Sequence, residues 1–187
     1  MNQLERTFKD VGFSENDIVE IANCFSLKHF RGGELFVQKD SIADYLGFIN
    51  KGMFQFFYEN DTDDITTYIA LKDDFILSVP SFFASQPSKE NIKALVDSEI
   101  WMINKSDFVK LIDSISGFKD FYISVLEQLM VCLDESRFDY ITLKPEERYS
   151  KLLRVEPELI KQIPLKYLSS LIGVTPRHLS RIRNNIR

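Results

Sequence analysis

The side chains best suited to chemistry lie together near the C-terminus. Between Leu159 and Arg187 the sequence has no Asp or Glu, but it has Lys161, Lys166, Arg177, Arg181, Arg183 and Arg187. With a net charge of −5 overall, this +6 stretch leaves −11 on residues 1–158. An arginine presents two parallel donors that fit a guanine edge or a phosphate, and a lysine presents a point charge. Thr175 and Ser180 add hydroxyls and His178 an imidazole. An acidic chain does not seek nucleic acid as a whole, but a basic terminal module can.

The spacing predicts how these groups are carried. Leu165, Leu168, Leu171 and Ile172 recur as one face of a helix, and Gly173 supplies the positive φ that ends it. Thr175 is an N-cap residue and Pro176 a first-turn residue for a second helix. That helix buries Leu179, Ile182 and Ile186 and leaves Arg177, His178, Ser180, Arg181, Asn184 and Asn185 on its other faces. Two helices joined by a short glycine turn, the second one basic, form the helix-turn-helix pattern. Its second helix enters the major groove of duplex DNA. The candidate DNA contacts are Lys166, Thr175, Arg177, His178, Ser180, Arg181 and Arg183, with Arg177 and Arg181 directed at base edges. Thr175 and Lys166 are assigned to phosphates, and His178 and Ser180 to either. The competing reading is a small-molecule sensor or protein-interaction module that binds no DNA and uses these helices only for docking.

Other chemistry has little material. Cys24 and Cys132 are far apart and flanked by apolar residues, and there are only two histidines, His29 and His178. That excludes a multi-cysteine zinc or iron–sulfur site within one chain. Asp73-Asp74 and Glu146-Glu147 are adjacent acids, read as solvated or capping groups rather than an acid/base pair. No Gly-rich phosphate loop is present. Neither an enzyme nor a resident metal or cofactor is expected.

The elements that must position the basic helix can be read upstream. The chain has 187 residues, 44% hydrophobic and 27% charged, with sixteen Phe and seven Tyr to build a core. Its start lacks the apolar block of a signal peptide, and no run reaches the length of a membrane span, so a cytoplasmic chain is expected. Ser14 and Asp17 open an N-terminal helix through Ile18, Ile21, Ala22 and Phe25. From Leu27 to Ile103 short β-type runs alternate with turns at 31–33, 50–52 and 60–64. The runs are 35–37, 45–49, 53–58, 65–71, 75–79 and 99–103, which suggests an antiparallel barrel or sandwich. A long helix follows from about Gly117 to Tyr140. Its apolar stripe is wider than one barrel face needs, and the residues leave open whether it packs only on its own domain or also on a second copy. Pro145 opens another helix, and a boundary falls at 141–145.

On these residues the chain resembles the Crp/Fnr family of transcription regulators. Pro145 to Tyr149, Ile163-Pro164, Leu171 to Pro176 and Leu179 to Arg183 are similar to that family's DNA-binding module. Arg31 to Phe36 and Tyr45 to Gly52 are similar to the early strands of its cyclic-nucleotide-binding-type barrel. The resemblance implies an α+β chain. Residues 1–116 would form a sensor domain, an antiparallel β-barrel of jelly-roll type with flanking helices. Residues 117–143 would form a long dimerisation helix, and residues 144–187 a winged helix-turn-helix. It implies a homodimer on an inverted-repeat DNA site, with RNA polymerase and an unidentified small-molecule effector as further partners and no membrane. The cassette that holds the nucleotide in such barrels departs from the pattern. After the matching Asp74-Phe75-Ile76, Leu77-Ser78 stands where Gly-Glu is expected, and Ser88-Lys89 where Arg-Ser is. A cyclic phosphate without its arginine loses its main charge-assisted partner, so cyclic-nucleotide binding of the usual kind is not expected. Any effector pocket would involve Phe75, Ile76, Ser78, Ser88 and Lys89. In the second helix, Arg177 stands where the family often has Glu, which implies a different preferred DNA sequence.

Overall fold

The computed structural model describes residues 1–60 and 63–186, with Glu158 described by its backbone alone. Asp61 and Thr62 of the expected 60–64 turn, and Arg187, lie outside the described residues. Eight strands form two four-stranded antiparallel sheets. The first sheet has the order β1 (Ser26–Phe30), β8 (Ser98–Asn104), β3 (Tyr45–Lys51), β6 (Phe75–Ile76). The second has β2 (Leu35–Val37), β7 (Asn91–Ala94), β4 (Met53–Glu59), β5 (Asp64–Leu71). Both sheets send Phe36, Ile49, Phe54, Phe56, Ile76, Ile92 and Ile100 into the space between them. Because side chains alternate along a strand, each sheet then has an outer face that needs its own cover.

Two different covers are used. The outer face of the first sheet, including Leu46, Phe48 and Ile103, is packed by α1 (Gln3–Val11), α2 (Glu15–Asn23), α4 (Lys105–Ser114) and the start of α5 (Phe118–Thr142). Phe8, Phe13, Phe118 and Phe121 form an edge-to-face cluster there, with ring centroids 5.6–6.2 Å apart. The outer face of the second sheet, at Met53 and Ile69, is packed by the C-terminal helices. These are α6 (Pro145–Val155), α7 (Pro157–Gln162), α8 (Leu165–Ile172) and α9 (Pro176–Asn185). Their Tyr149, Leu159, Ile160, Ile163, Leu168, Ile172, Leu179 and Ile182 share one core with the sheet.

The structure revises three expectations. The run 75–79 is a strand only over Phe75–Ile76, and Val79 begins α3 (Val79–Ala84). Pro80 sits in the first turn of that helix, where its missing N–H costs nothing. The wing has no counterpart among the described residues, where the C-terminal part is built from helices alone. Pro157 starts α7, and Leu159, Ile160 and Ile163 bury at helical rather than alternating spacing. Ile186 is 40% exposed instead of buried, because α9 ends at Asn185 and Ile186 is the residue beyond its last turn. Helix α1, like α3 and α7, was not anticipated; it is opened by a capping box between Asn2 and Glu5.

The long helix α5 runs 25 residues, about 38 Å at 1.5 Å per residue. Phe118 is buried against its own domain, but from Glu127 to Thr142 every residue except half-buried Asp139 is exposed. Met130 is 70% exposed and Ile141 71%.

The β3–β4 hairpin turns on Gly52, whose φ is +108° and whose position would put a Cβ 2.0 Å from Ser98 Oγ and 2.9 Å from Ser98 Cα. Replacing Gly52 by Ala combines backbone strain with a clash on main chain. The variant should lose about 1–3 kcal/mol of stability, read as a lower denaturation midpoint in urea.

Candidate nucleic-acid interface

Helix α8 buries Leu168 and Ile172, and Gly173 closes it with φ +80°. Thr175 then caps α9, its hydroxyl accepting from the His178 N–H at 3.2 Å, with Pro176 in the first turn. Leu179 and Ile182 turn inward. This places Arg177, His178, Arg181 and Arg183 on exposed positions and leaves Ser180 half-buried.

The candidate contacts differ in what already holds them. Among the described residues no hydrogen bond or ion pair engages Arg177, Arg181 or Arg183, so their guanidinium groups face solvent with all donors available. The Thr175 hydroxyl is engaged as a cap, and that of Ser180 donates back to Pro176 O at 3.0 Å. His178 Nε2 stands 3.3 Å from Glu146 Oε1 at the start of α6. Glu146 is held below the usual carboxylate range first by a hydrogen bond from its own backbone N–H, and further by His178. Lys166, on α8, lies 3.5 Å from Asp63 Oδ1 next to β5. The structure therefore brings the three arginines onto one helix with free donors, and gives Thr175, Ser180, His178 and Lys166 partners within the chain.

Within an otherwise apolar seam, the whole unit is also tied to the barrel by a chain of hydrogen bonds. The Thr66 N–H on β5 donates to Ser170 Oγ on α8 at 2.8 Å. Buried Gln55 on β4 donates to Thr66 Oγ1 at 2.8 Å, and its Oε1 has no partner among the described residues. Sequence reading did not single out Ser170, Thr66 or Gln55. Their only signal is a Gln and a Thr on adjacent strands otherwise rich in apolar residues.

The expected effector residues form a self-satisfied cluster. Ser78 and Ser88 are buried and share a hydrogen bond of 2.9 Å, and the Ser88 hydroxyl also donates to Glu90 O at 2.8 Å. Ile76 is buried in the inter-sheet core, Phe75 is half-buried against Phe48, and Lys89 is exposed. The neighbouring space is filled by rings. Phe36 meets Phe30, Tyr45 and Phe54 edge-to-face with centroids 5.1–6.0 Å apart, and the Tyr45 hydroxyl donates to Phe36 O at 2.6 Å.

A two-sheet antiparallel barrel, a long helix and a terminal pair of helices joined at Gly173 make up the chain. Residues 27–114 match the cyclic nucleotide-binding domain family, which accounts for the barrel. Over most of its length the fold is also similar to those of solved structures. A mutant CooA from Carboxydothermus hydrogenoformans superposes with a TM-score of 0.74 at 13% identity, covering 99% of this chain and 84% of that one. FixK2 from Bradyrhizobium japonicum gives 0.72 at 13% identity, covering 87% and 84%. A putative Crp/Fnr-family regulator from Eubacterium rectale gives 0.67 at 13%, covering 95% and 84%. No curated protein sequence matches the chain. Among the described residues no helix is long and apolar enough to cross a membrane.

Two outcomes test this geometry. Ser170→Ala leaves the Thr66 N–H without its acceptor and should cost about 1–3 kcal/mol, with faster amide exchange at Thr66. Burial pushes the Asp74 carboxyl above its ordinary range, against the hydrogen bond it accepts from the Leu71 N–H. A raised folded-state value means Asp74 favours the fold while protonated and loses that contribution as pH rises through it. Asp74→Asn keeps an acceptor without the charge. Thermal melts should show it at least as stable as the parent at neutral pH, with the gain shrinking toward acid pH.

Proposed function

We propose that this chain is a sequence-specific DNA-binding transcription regulator. It acts as a homodimer, places one α9 in each of two major grooves, and reads an inverted repeat with half-sites about one turn apart. The observation that carries this reading is the exposure of Arg177, Arg181 and Arg183 on a capped helix with no competing partner among the described residues. Arg177 and Arg181 read bases and Arg183 adds backbone charge. His178 is available to DNA once it leaves Glu146. The solvent-exposed apolar residues of α5, among them Met130, Leu133 and Ile141, support pairing with a second copy. RNA polymerase and an effector remain within this reading as further partners. The Ser78–Ser88 bond and the ring-filled barrel favour an effector other than a cyclic nucleotide held in the usual way.

The test is selection of bound sites from a random duplex pool, with and without a cell-extract metabolite fraction. A palindromic winner is expected, with affinity falling steeply as salt rises. Arg181→Ala should cost about 1–3 kcal/mol on that site and relax preference at one position per half-site. A variant that binds as tightly and as selectively as the parent removes Arg181 from base reading.

A further inference from the structure

Arg148 lies on α6, outside the basic helix, yet its guanidinium closes two helix ends at once. Nη1 donates to Leu143 O, the C-cap of α5, at 2.7 Å. Nη2 donates to Ile172 O, in the last turn of α8, at 2.8 Å. The last carbonyls of a helix have no intrahelical partner and carry its negative end, so a cation there is held both by hydrogen bonds and by the dipole. One planar guanidinium bonding both carbonyls fixes their relative position. A lysine ammonium, a single point on a flexible stem, cannot impose that geometry.

Tyr140, in the last turn of α5, completes the joint. Its ring lies against the guanidinium, with Arg148 Cζ 4.9 Å from the centroid, and its hydroxyl donates to Leu171 O. Both side chains press on the turn of the helix-turn-helix. A Cβ on Gly173 would meet Arg148 Nη2 at 3.6 Å and Tyr140 Cε1 at 3.9 Å. Lys151 of α6 adds a strap to α5, 2.6 Å from Asp139 Oδ2. The arrangement leaves Arg148 Nε buried without a partner among the described residues, an unsatisfied donor retained beside two satisfied ones.

We propose that Arg148 and Tyr140 are positioning residues that set the spacing of the two DNA half-sites. The inference rests on the homodimeric DNA-binding reading above. Only three residues separate Ile172 from the start of α9 at Pro176, so the clamp fixes the direction of α9 relative to α5. In a two-fold dimer paired along α5, that direction determines how far apart the two recognition helices lie. Neither residue faces a base. Their effect is therefore on geometry between half-sites and not on the sequence within one.

The experiment uses the full chain and its variants Arg148→Lys, Arg148→Met and Tyr140→Phe. Each is titrated by fluorescence anisotropy against the selected inverted repeat, against the same repeat with its centre lengthened or shortened by 1–2 base pairs, and against a single half-site. The parent should prefer the selected spacing by about tenfold or more. Both Arg148 variants should reduce that preference to about threefold or less while holding single-half-site affinity within about twofold, with Tyr140→Phe intermediate. Tyr140→Phe keeps the ring under the guanidinium and removes only the hydroxyl, so it reports on the clamp even if the Arg148 variants fold poorly. Variants that bind DNA with the parent's spacing preference overturn the assignment and leave the DNA-binding reading standing. So do variants that weaken single and paired half-sites equally. A parent that selects no duplex overturns both.

Discussion

The outer face of the second sheet cannot be left in water, and the way it is covered organises the molecule. Met53 and Ile69 are apolar, point away from the barrel interior and are buried under Leu159, Ile160, Ile163 and Leu168. Each such side chain removed from water is worth about 1.5–3 kcal/mol. The four C-terminal helices form a unit too small to build an ample core alone. Sheet and helices therefore complete one another, and the C-terminal helices are seated on the barrel instead of hanging from a tether. The Gln55–Thr66–Ser170 chain of hydrogen bonds gives that seam a register, because sliding α8 along β5 would strand buried polar groups.

Charge is distributed to match. The acids all lie before Leu159, and the ionised side chains of the last helix are arginines alone. Lys166 at Asp63 and His178 at Glu146 are paired across short distances with exposed carboxylates, where such pairs contribute little to stability. The arginines of α9 are left out of these pairs.

Much of this was legible in the residues. Gly173, Thr175 and Pro176 each allow few conformations, so their order nearly dictates a helix end, a cap and a helix start. The strands at 45–51, 53–59 and 64–71 followed from their composition and turns. What escaped had physical reasons. Phe75 to Val79 is a short apolar run, which strand and buried helix share, and Pro80 decided for a helix only in context. The resemblance implied a wing without placing it, and the apolar spacing of Leu159, Ile160 and Ile163 favoured a helical turn. Arg148 left no trace of its work because its partners are backbone carbonyls, which every residue type supplies. The contact between the halves was hidden because an amphipathic strand and an amphipathic helix each look complete when read alone.

Only Leu143 and Lys144 separate α5 from α6. A joint of two residues has almost no slack, so α5 behaves as a rigid rod with the C-terminal helices joined to one end and the barrel's aromatic cluster gripping the other. Over a helix of about 38 Å, leaning that rod by about 5° displaces its far tip by about 3 Å. A side-chain rearrangement near Phe118 or Phe121 too slight to alter the barrel's outline would thus arrive at the other end as a movement nearly as large as the rise between neighbouring base pairs.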